Sequence, residues 1–488
     1  MAFTTQWAQG SRKSQGRYGD PDECDEDPLG RGLSDEFDKT LQVSLWNQAK
    51  RALDDCAETN SFKVAMAEIL FSLTLKYADE QGDGHESLQG DEHNRHVMDT
   101  ELRIQTAIDE GGHSVYLERG ARRLHVLKRR SETFEKLSKG KARKERINDE
   151  RDVHEGESEE KTTMKLVYWL AIMFDTIAAA VAERPVTVSD DESKEHSAEG
   201  AGNSNSSTTS ESDERWNDRY IIRRHQRLAP LRWPCPEEAI ARELRDAAPV
   251  KVLLFRKLTG IQSLSSRGAS QQVIEDAIQD GLSVYLHWNL TYGPLFQDCI
   301  ECHDSLPANV QSWYVCLLGH WLLAVMILAD CVRLADEQDL SMPLRARDRA
   351  EAGLVEELRG TAMRAVSDLA RVSTPREDGM SRLTEFHPAV TEGALLTEPW
   401  TMMLIRTFSM GGTLLLNAMK KAKNSGSFEG GPVTELYGRC EDCVRALWYL
   451  GRKSGLSRQV AGILVDDLRH ERLQKLNIRT QSAEAGTF

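Results

Sequence analysis

Two CxxC pairs are the first residues here that could do chemistry: Cys299-Ile-Glu-Cys302, followed by His303, and Cys440-Glu-Asp-Cys443. Four thiolates can hold a structural zinc, but these pairs lie about 140 residues apart and each sits in an apolar, helix-like stretch, so partly buried free thiols are the favoured reading. His93-Asn-Arg-His96, with His85, places imidazoles in an acidic loop without a HExxH arrangement and reads as exposed and inert. Carboxylates offer a second chemistry. Asp54-Asp55-Cys56-Ala57-Glu58 could grip magnesium ions and through them a diphosphate, and Asn203, Ser207 and Glu211 have the spacing of a second metal motif. That second set falls in a Ser-rich segment with no apolar face to seat it on a helix. The sequence contains no G-x-S-x-G, P-loop or G-x-G-x-x-G, so nucleophile-elbow and phosphate-cradle chemistry have no support. No metal, cofactor or catalytic residue is assigned.

The elements that must position such residues are bounded by composition. A chain of 488 residues holds two to four domains, or one large helical domain with insertions. Its 77 acidic and 62 basic residues leave a net charge of −15, which argues against sequence-independent nucleic-acid binding by the whole chain and allows only a local basic patch. With 40% hydrophobic and 28% charged residues it can bury a core. Nine cysteines, odd in number and sparse, do not form a secreted disulfide framework, and the opening residues lack the apolar stretch of a signal peptide. A soluble, intracellular protein is expected. The best membrane candidate, 313–329, is short for a span, contains Gly319 and His320 and is closed by Asp330; it reads as a buried helix.

Residues 1–38, with the acidic run Asp20-Pro-Asp-Glu-Cys-Asp-Glu-Asp27, can bury little and predict a disordered tail. From 39 to 188 the spacing is helical. Leu41, Leu45, Ala49, Ala52, Leu53 and Cys56 make one apolar face, and Ala65, Met66, Ile69, Leu70 and Leu73 make the next. Helical spacing resumes over 99–108 and 115–127. The strongly apolar stretch 164–182 is closed by Glu183-Arg184-Pro185. Residues 189–214 contain eight Ser, eight acidic residues and one Lys, with no Val, Ile, Leu or aromatic, which predicts a disordered linker or inserted loop. From 215 to 478 helical patterns recur at 237–245, 250–258, 271–278, 313–334, 350–372, 400–423, 440–450 and 460–476, before a short tail, 479–488. Strand patterns and internal repeats are lacking. The fold class is all-α: a large multi-helix domain with an N-terminal tail and a Ser-rich acidic insertion.

One window departs from the acidic background. Residues 119–146 hold twelve Lys or Arg against three Glu, a local charge of +9. The densest part is Lys139-Gly-Lys-Ala-Arg-Lys-Glu-Arg146, and the acidic stretch 149–160 follows at once. A solvated face whose charges pair with that stretch is one reading. The other makes Lys139, Lys141, Arg143, Lys144 and Arg146 a nuclear-import signal or phosphate contacts.

The segment 165–191 resembles the signature of the fungal-specific transcription-factor regulatory domain. A basic residue and paired aromatics precede an aspartate, then an Arg-Pro, then an acidic step; here these are Lys165, Tyr168-Trp169, Asp175, Arg184-Pro185 and Asp190-Asp191. Tyr168 stands where Trp is usual and Glu183 where Gly is usual. The stretches 61–74 and 116–127, with Leu231-Arg-Trp-Pro-Cys-Pro-Glu237, resemble the branch that contains the ethanol-regulon activator, and the resemblance extends over about residues 40–475. Family members usually carry a six-cysteine zinc cluster that binds DNA, and Cys24 and Cys56 alone do not supply its CxxC spacing. Asp175, a lone charge on an apolar helix, needs a partner, with Arg184 or a nearby amide the obvious one; these signature residues are read as structural.

The resemblance implies a nuclear, non-enzymatic transcriptional regulator of a metabolic or secondary-metabolite gene set. It would reach promoter DNA through a partner regulator or through a zinc cluster on a missing exon, and would respond to a small-molecule effector or a partner. Membrane association is not expected, and homodimerisation is left open. Two alternatives remain: a helical enzyme, since Asp54-Asp55 and the 203–211 pattern resemble the two metal motifs of terpene cyclases, and a cytoplasmic interaction scaffold.

Overall fold

The longest uncharged run in the chain becomes the axis of the fold. The computed structural model describes residues 28–75, 99–110, 114–145, 159–189, 229–375, 394–424 and 431–485, and among them there are fourteen α-helices, two 3₁₀ turns and no strand. The all-α expectation is met. In chain order the helices are α1 Pro28–Asp55, α2 Phe62–Ser72, α3 Thr100–Glu110, α4 Ser114–Glu145, α5 Glu159–Val181, α6 Glu237–Ser266, α7 Gln271–Thr291, α8 Gly293–Glu301, α9 Ala308–Glu337, α10 Pro343–Ala352, α11 Leu354–Ser373, α12 Thr401–Asn424, α13 Gly431–Leu450 and α14 Gly455–Ala485.

Helix α9 is apolar almost all round, and such a helix must be covered on every side. Helices α6, α11 and α12 do most of the covering, with α7 and α8 at the edges. Trp321 stacks on Trp288 of α7 at 4.0 Å between ring centroids and 11° between planes. Gly319 lets α12 approach closely, since a Cβ there would lie 2.5 Å from Leu404 Cδ2. The N-terminal helices form a second layer: α2 packs on α4, α4 on α5, and α5 on α6, while α3 packs against α14 and α12. One continuous hydrophobic core runs through both layers, with a small satellite of Trp46, Leu53, Phe71 and Tyr116 under α1. Two helices are long and apolar enough to cross a membrane, Thr162–Val181 and Ala308–Glu337, and 61% and 78% of their apolar windows are buried within the fold.

Several boundaries differ from the sequence expectation, each for a local reason. Helix α1 reaches back to Pro28, inside the stretch read as tail; Leu29, Leu33 and Phe37 continue the four-residue spacing of Leu41 and Leu45. The patterns at 237–245 and 250–258 are one helix running through Pro249. Proline removes an amide at this point, and the Tyr292 hydroxyl donates to the nearby Asp246 carbonyl at 3.3 Å. The stretch 350–372 is two helices, broken at Gly353, whose φ of 62° is left-handed. Beside that break, Arg349 is clamped by two carboxylates, at 2.7 and 3.0 Å from Glu275 and 2.6 and 3.0 Å from Asp336. Burial works against its charge, but the hydrogen bonds to Asp336 and Glu275 overcome this and raise its pKa above the usual arginine value.

Candidate functional site

The stretch that carries the family resemblance folds into one closure at the end of α5. The helix stops in a Schellman arrangement: the Arg184 amide donates to the Ala179 carbonyl at 3.0 Å, and Glu183 takes a φ of 51°. That is the left-handed region, open to Gly and costly for a side chain. The turn brings the chain back along α5, and the buried Asp175 meets three donors at once. Arg184 Nη2 lies at 2.9 Å, the Thr187 amide at 2.6 Å and the Thr187 hydroxyl at 2.7 Å. Arg184 also pairs with Glu118 of α4 at 3.1 Å and donates to the Pro185 carbonyl at 2.9 Å. Arg256 of α6 fastens the returning strap, donating to the Val188 carbonyl at 2.9 Å and to Thr176 at 3.2 Å. Tyr168 is buried, with Trp169 against it, and both rings lie under Lys128 of α4, at 4.6 and 5.9 Å. Lys165 is exposed, so the cation over the aromatic pair comes from the basic window. Asp190 and Asp191 lie outside the described residues.

Residues 119–145 of the basic window lie on one continuous helix, and Arg119, Arg123 and Lys128 are used inside the fold. Arg119 and Arg123 converge on Glu68 of α2, whose side chain is fully buried. Burial raises the Glu68 pKa, and the Arg119 hydrogen bond and the two positive charges oppose that rise. Arg123 also donates to the carbonyls of Cys56, Ala57 and Thr59, capping the end of α1. These residues, with Lys128, are therefore not available for import or phosphate contact. Lys139, Lys141, Arg143 and Lys144 lie on the same helix beyond them, and Arg146 lies outside the described residues.

A charged cluster that sequence reasoning missed sits deep in the core. Glu398 precedes α12 with its carboxylate against His320 of α9, Oε2 to Nε2 3.4 Å, while its Oε1 accepts the Trp400 amide at 2.9 Å. Lys251 of α6 approaches the other imidazole nitrogen at 3.4 Å, and Lys453, just before α14, reaches the Glu398 carbonyl at 3.4 Å. Burial alone would raise the Glu398 carboxyl, but His320, the Cys316 thiol and the Trp400 amide bring it down to about 2. Desolvation lowers His320 and brings Lys251 and Lys453 down to about 8, against the pull of Glu398. It drives the Cys316 thiol well up, so this sulfur stays protonated and is no nucleophile. The signal was faint: single polar residues, Lys251 and His320, inside apolar runs.

The other sequence candidates are not brought together. Cys299, Cys440 and Cys443 are buried free thiols and Cys302 is half-buried; among the described residues no group of three or more His, Cys, Asp or Glu could hold a metal. Asp54 and Asp55 are exposed at the end of α1, where Tyr116 donates to Asp54 at 2.9 Å, while Asn203, Ser207 and Glu211, like His85, His93 and His96, lie outside the described residues. A cavity of about 730 Å³ opens elsewhere, between α3, the end of α5, α6, α9, α11 and α12. Its volume suits a small-molecule ligand. Ile104, Ile108, Ile261, Leu323 and Ile327 supply apolar wall, and Arg406, Glu101 and the Arg359 and Asp330 ion pair supply charge. Fold and cavity together define an all-α protein with a ligand-sized chamber among its helices. No known family model matches the chain, and neither a curated protein nor a solved structure does.

Two measurements test this geometry. Glu183→Gly removes the left-handed side chain at the α5 turn and should stabilise the protein by about 1 kcal/mol in chemical unfolding; a loss of stability would mean the Glu side chain contributes more than the strain costs. Lys251 titrates near 8 in the folded chain against 10.5 for an ordinary lysine. Between those values the unfolded state holds more protons, so this group favours folding increasingly as pH rises. The stability of wild type relative to Lys251→Met should therefore increase by on the order of 3 kcal/mol from pH 7 to pH 10.5, and a pH-independent difference would contradict a desolvated ammonium.

Proposed function

We propose that this chain is a nuclear, non-enzymatic transcriptional regulator of the fungal type, acting on a metabolic or secondary-metabolite gene set. It reaches promoters through a partner regulator or through a zinc cluster encoded outside this sequence, and its helical domain serves as the regulatory, effector-responsive part.

The observation that carries this reading is the closure around Asp175. Two of the residues that make up the resemblance, nine positions apart, act on one another: Asp175 holds Arg184, and the turn that returns Arg184 to it puts residue 183 in the left-handed region, where the resembled family has Gly. A short motif matching by chance has no reason to reproduce that dependence. The cavity beside the same helix supports an effector-responsive role. The Arg232 segment of the resemblance is likewise fastened, with Arg232 bidentate to Asp298 of α8 at 2.7 and 2.8 Å and the Trp233 amide on the same carboxylate at 2.8 Å. No observation favours prenyl-diphosphate chemistry, since Asp54 and Asp55 are not part of the cavity wall.

Chromatin immunoprecipitation of the endogenously tagged protein should give discrete promoter peaks; a cytoplasmic protein without peaks overturns the reading. Import is tested without touching Arg119, Arg123 or Lys128 by changing Lys139, Lys141, Arg143, Lys144 and Arg146 together to Gln. The protein should then accumulate in the cytoplasm with an unchanged melting temperature, and unaltered nuclear accumulation would remove import from the roles of this segment.

A further inference from the structure

The cavity carries opposite charge at its two ends. Helix α3 forms one wall, with Glu101 in its first turn and Asp109 in its last, about 12 Å apart along the helix axis. At the Glu101 end stand Asp330 and Arg359, paired with each other. Burial raises the Glu101 carboxyl, and Asp330 and Asp99 raise it further against the lowering pull of Arg359 and Arg333, so three carboxylates face two guanidiniums at this end. At the other end is Arg406 of α12, located there by its approach to Asp109 at 3.8 Å.

Arg406 is poorly served by the protein. Its side chain is only 16% exposed and its Nε makes no hydrogen bond. Asp109 is 61% exposed, too distant for a hydrogen bond, and already accepts one from Gln105 at 2.8 Å. A guanidinium has five donors in a planar fork, and one in a cavity wall with its Nε unused and no hydrogen-bonded acid among the described residues calls for an oxyanion. The rest of the wall is mixed: Ile104, Ile108, Ile261, Leu323 and Ile327 supply apolar surface beside the polar Gln262, Ser409 and Thr413.

We propose that the cavity binds a small amphipathic monocarboxylate, its carboxylate in the fork of Arg406 and its apolar body lying along α3. The acidic end sets the orientation by repelling a second anionic group. This deepens the regulator reading by naming the chemical class of its effector, and rests on that reading for its consequence in the cell; binding itself is measured on the purified full chain.

The test is isothermal titration of the full chain with octanoate, dodecanoate and 4-phenylbutyrate, beside octan-1-ol and octylamine. At least one carboxylate should saturate one site per chain, and tighter than the alcohol or the amine. Arg406→Met should weaken that carboxylate about ten-fold or more, Arg406→Lys should restore part of the affinity, and Leu414→Trp, which fills the chamber from α12, should abolish it at unchanged helicity. If Arg406→Met does not fold, the comparison of octanoate with octan-1-ol and the Leu414→Trp variant decide. No saturable carboxylate binding, equal binding of octan-1-ol, or undiminished binding by Arg406→Met overturns the proposal. Failure of binding with promoter peaks intact sinks this inference alone, while binding without peaks sinks the regulator reading and leaves the ligand site.

Discussion

A carboxylate sealed from water inside a helical core has to be compensated where it stands, and the packing around Glu398 follows from that need. Its partners come from far apart in the chain: Lys251 from α6, Cys316 and His320 from α9, and Lys453 from the corner before α14. An uncompensated charge in such a place costs several kcal/mol, enough to decide between arrangements that hydrophobic burial alone leaves nearly equal. The cluster allows one register, because only there do imidazole, ammonium and carboxylate meet. Trp400, whose amide serves Glu398, also packs edge-on against Phe174, and so ties the N-terminal layer to the same point.

The N-terminal layer repeats this logic on a smaller scale. Glu68 is fully buried and needs Arg119 and Arg123; Arg123 in turn holds three carbonyls, of Cys56, Ala57 and Thr59, in the turn that follows α1. Asp175 is buried and needs the strap at 184–188. Each buried acid therefore draws a loop or helix end onto the core. Arg119 and Arg123 of the window that stands out as basic are spent in this way, which separates them from the charge beyond residue 138.

The cavity differs from these clusters in leaving its charge unresolved. Glu68, Asp175, Asp298 and Glu398 all have well-placed partners, whereas Arg406 faces a chamber with an unused donor and a distant, exposed acid. Arg333 and Arg359, also in the wall, likewise leave Nε without a hydrogen bond, but each holds a carboxylate through another nitrogen, which leaves Arg406 as the wall arginine with no close acid among the described residues. The chamber is framed by α5 and α6, the helices joined by the Asp175 strap through Arg256 and by Gln262, which donates to the Ala180 carbonyl at 2.9 Å. A ligand held there touches the same pair of helices that the strap fastens, which is a short physical path from occupancy to the shape of the domain.

Much of the fold was legible in the sequence because helices announce themselves locally. Apolar spacing located nearly every helix, the uncharged stretch 313–329 marked the buried axis, and Asp175 was identified as a charge that must find Arg184 or a nearby amide. Boundaries were less legible where the chain runs on against a local signal, as in the helix that continues through Pro249, or where one glycine in a left-handed turn splits a continuous pattern. The Glu398 cluster and the cavity were not legible at all. Their members are mostly single residues, tens to hundreds of positions apart in sequence, whose types are ordinary in isolation; only the tertiary structure decided which cations face which acids, since that depends on helix register across the core and not on the pattern within any one helix.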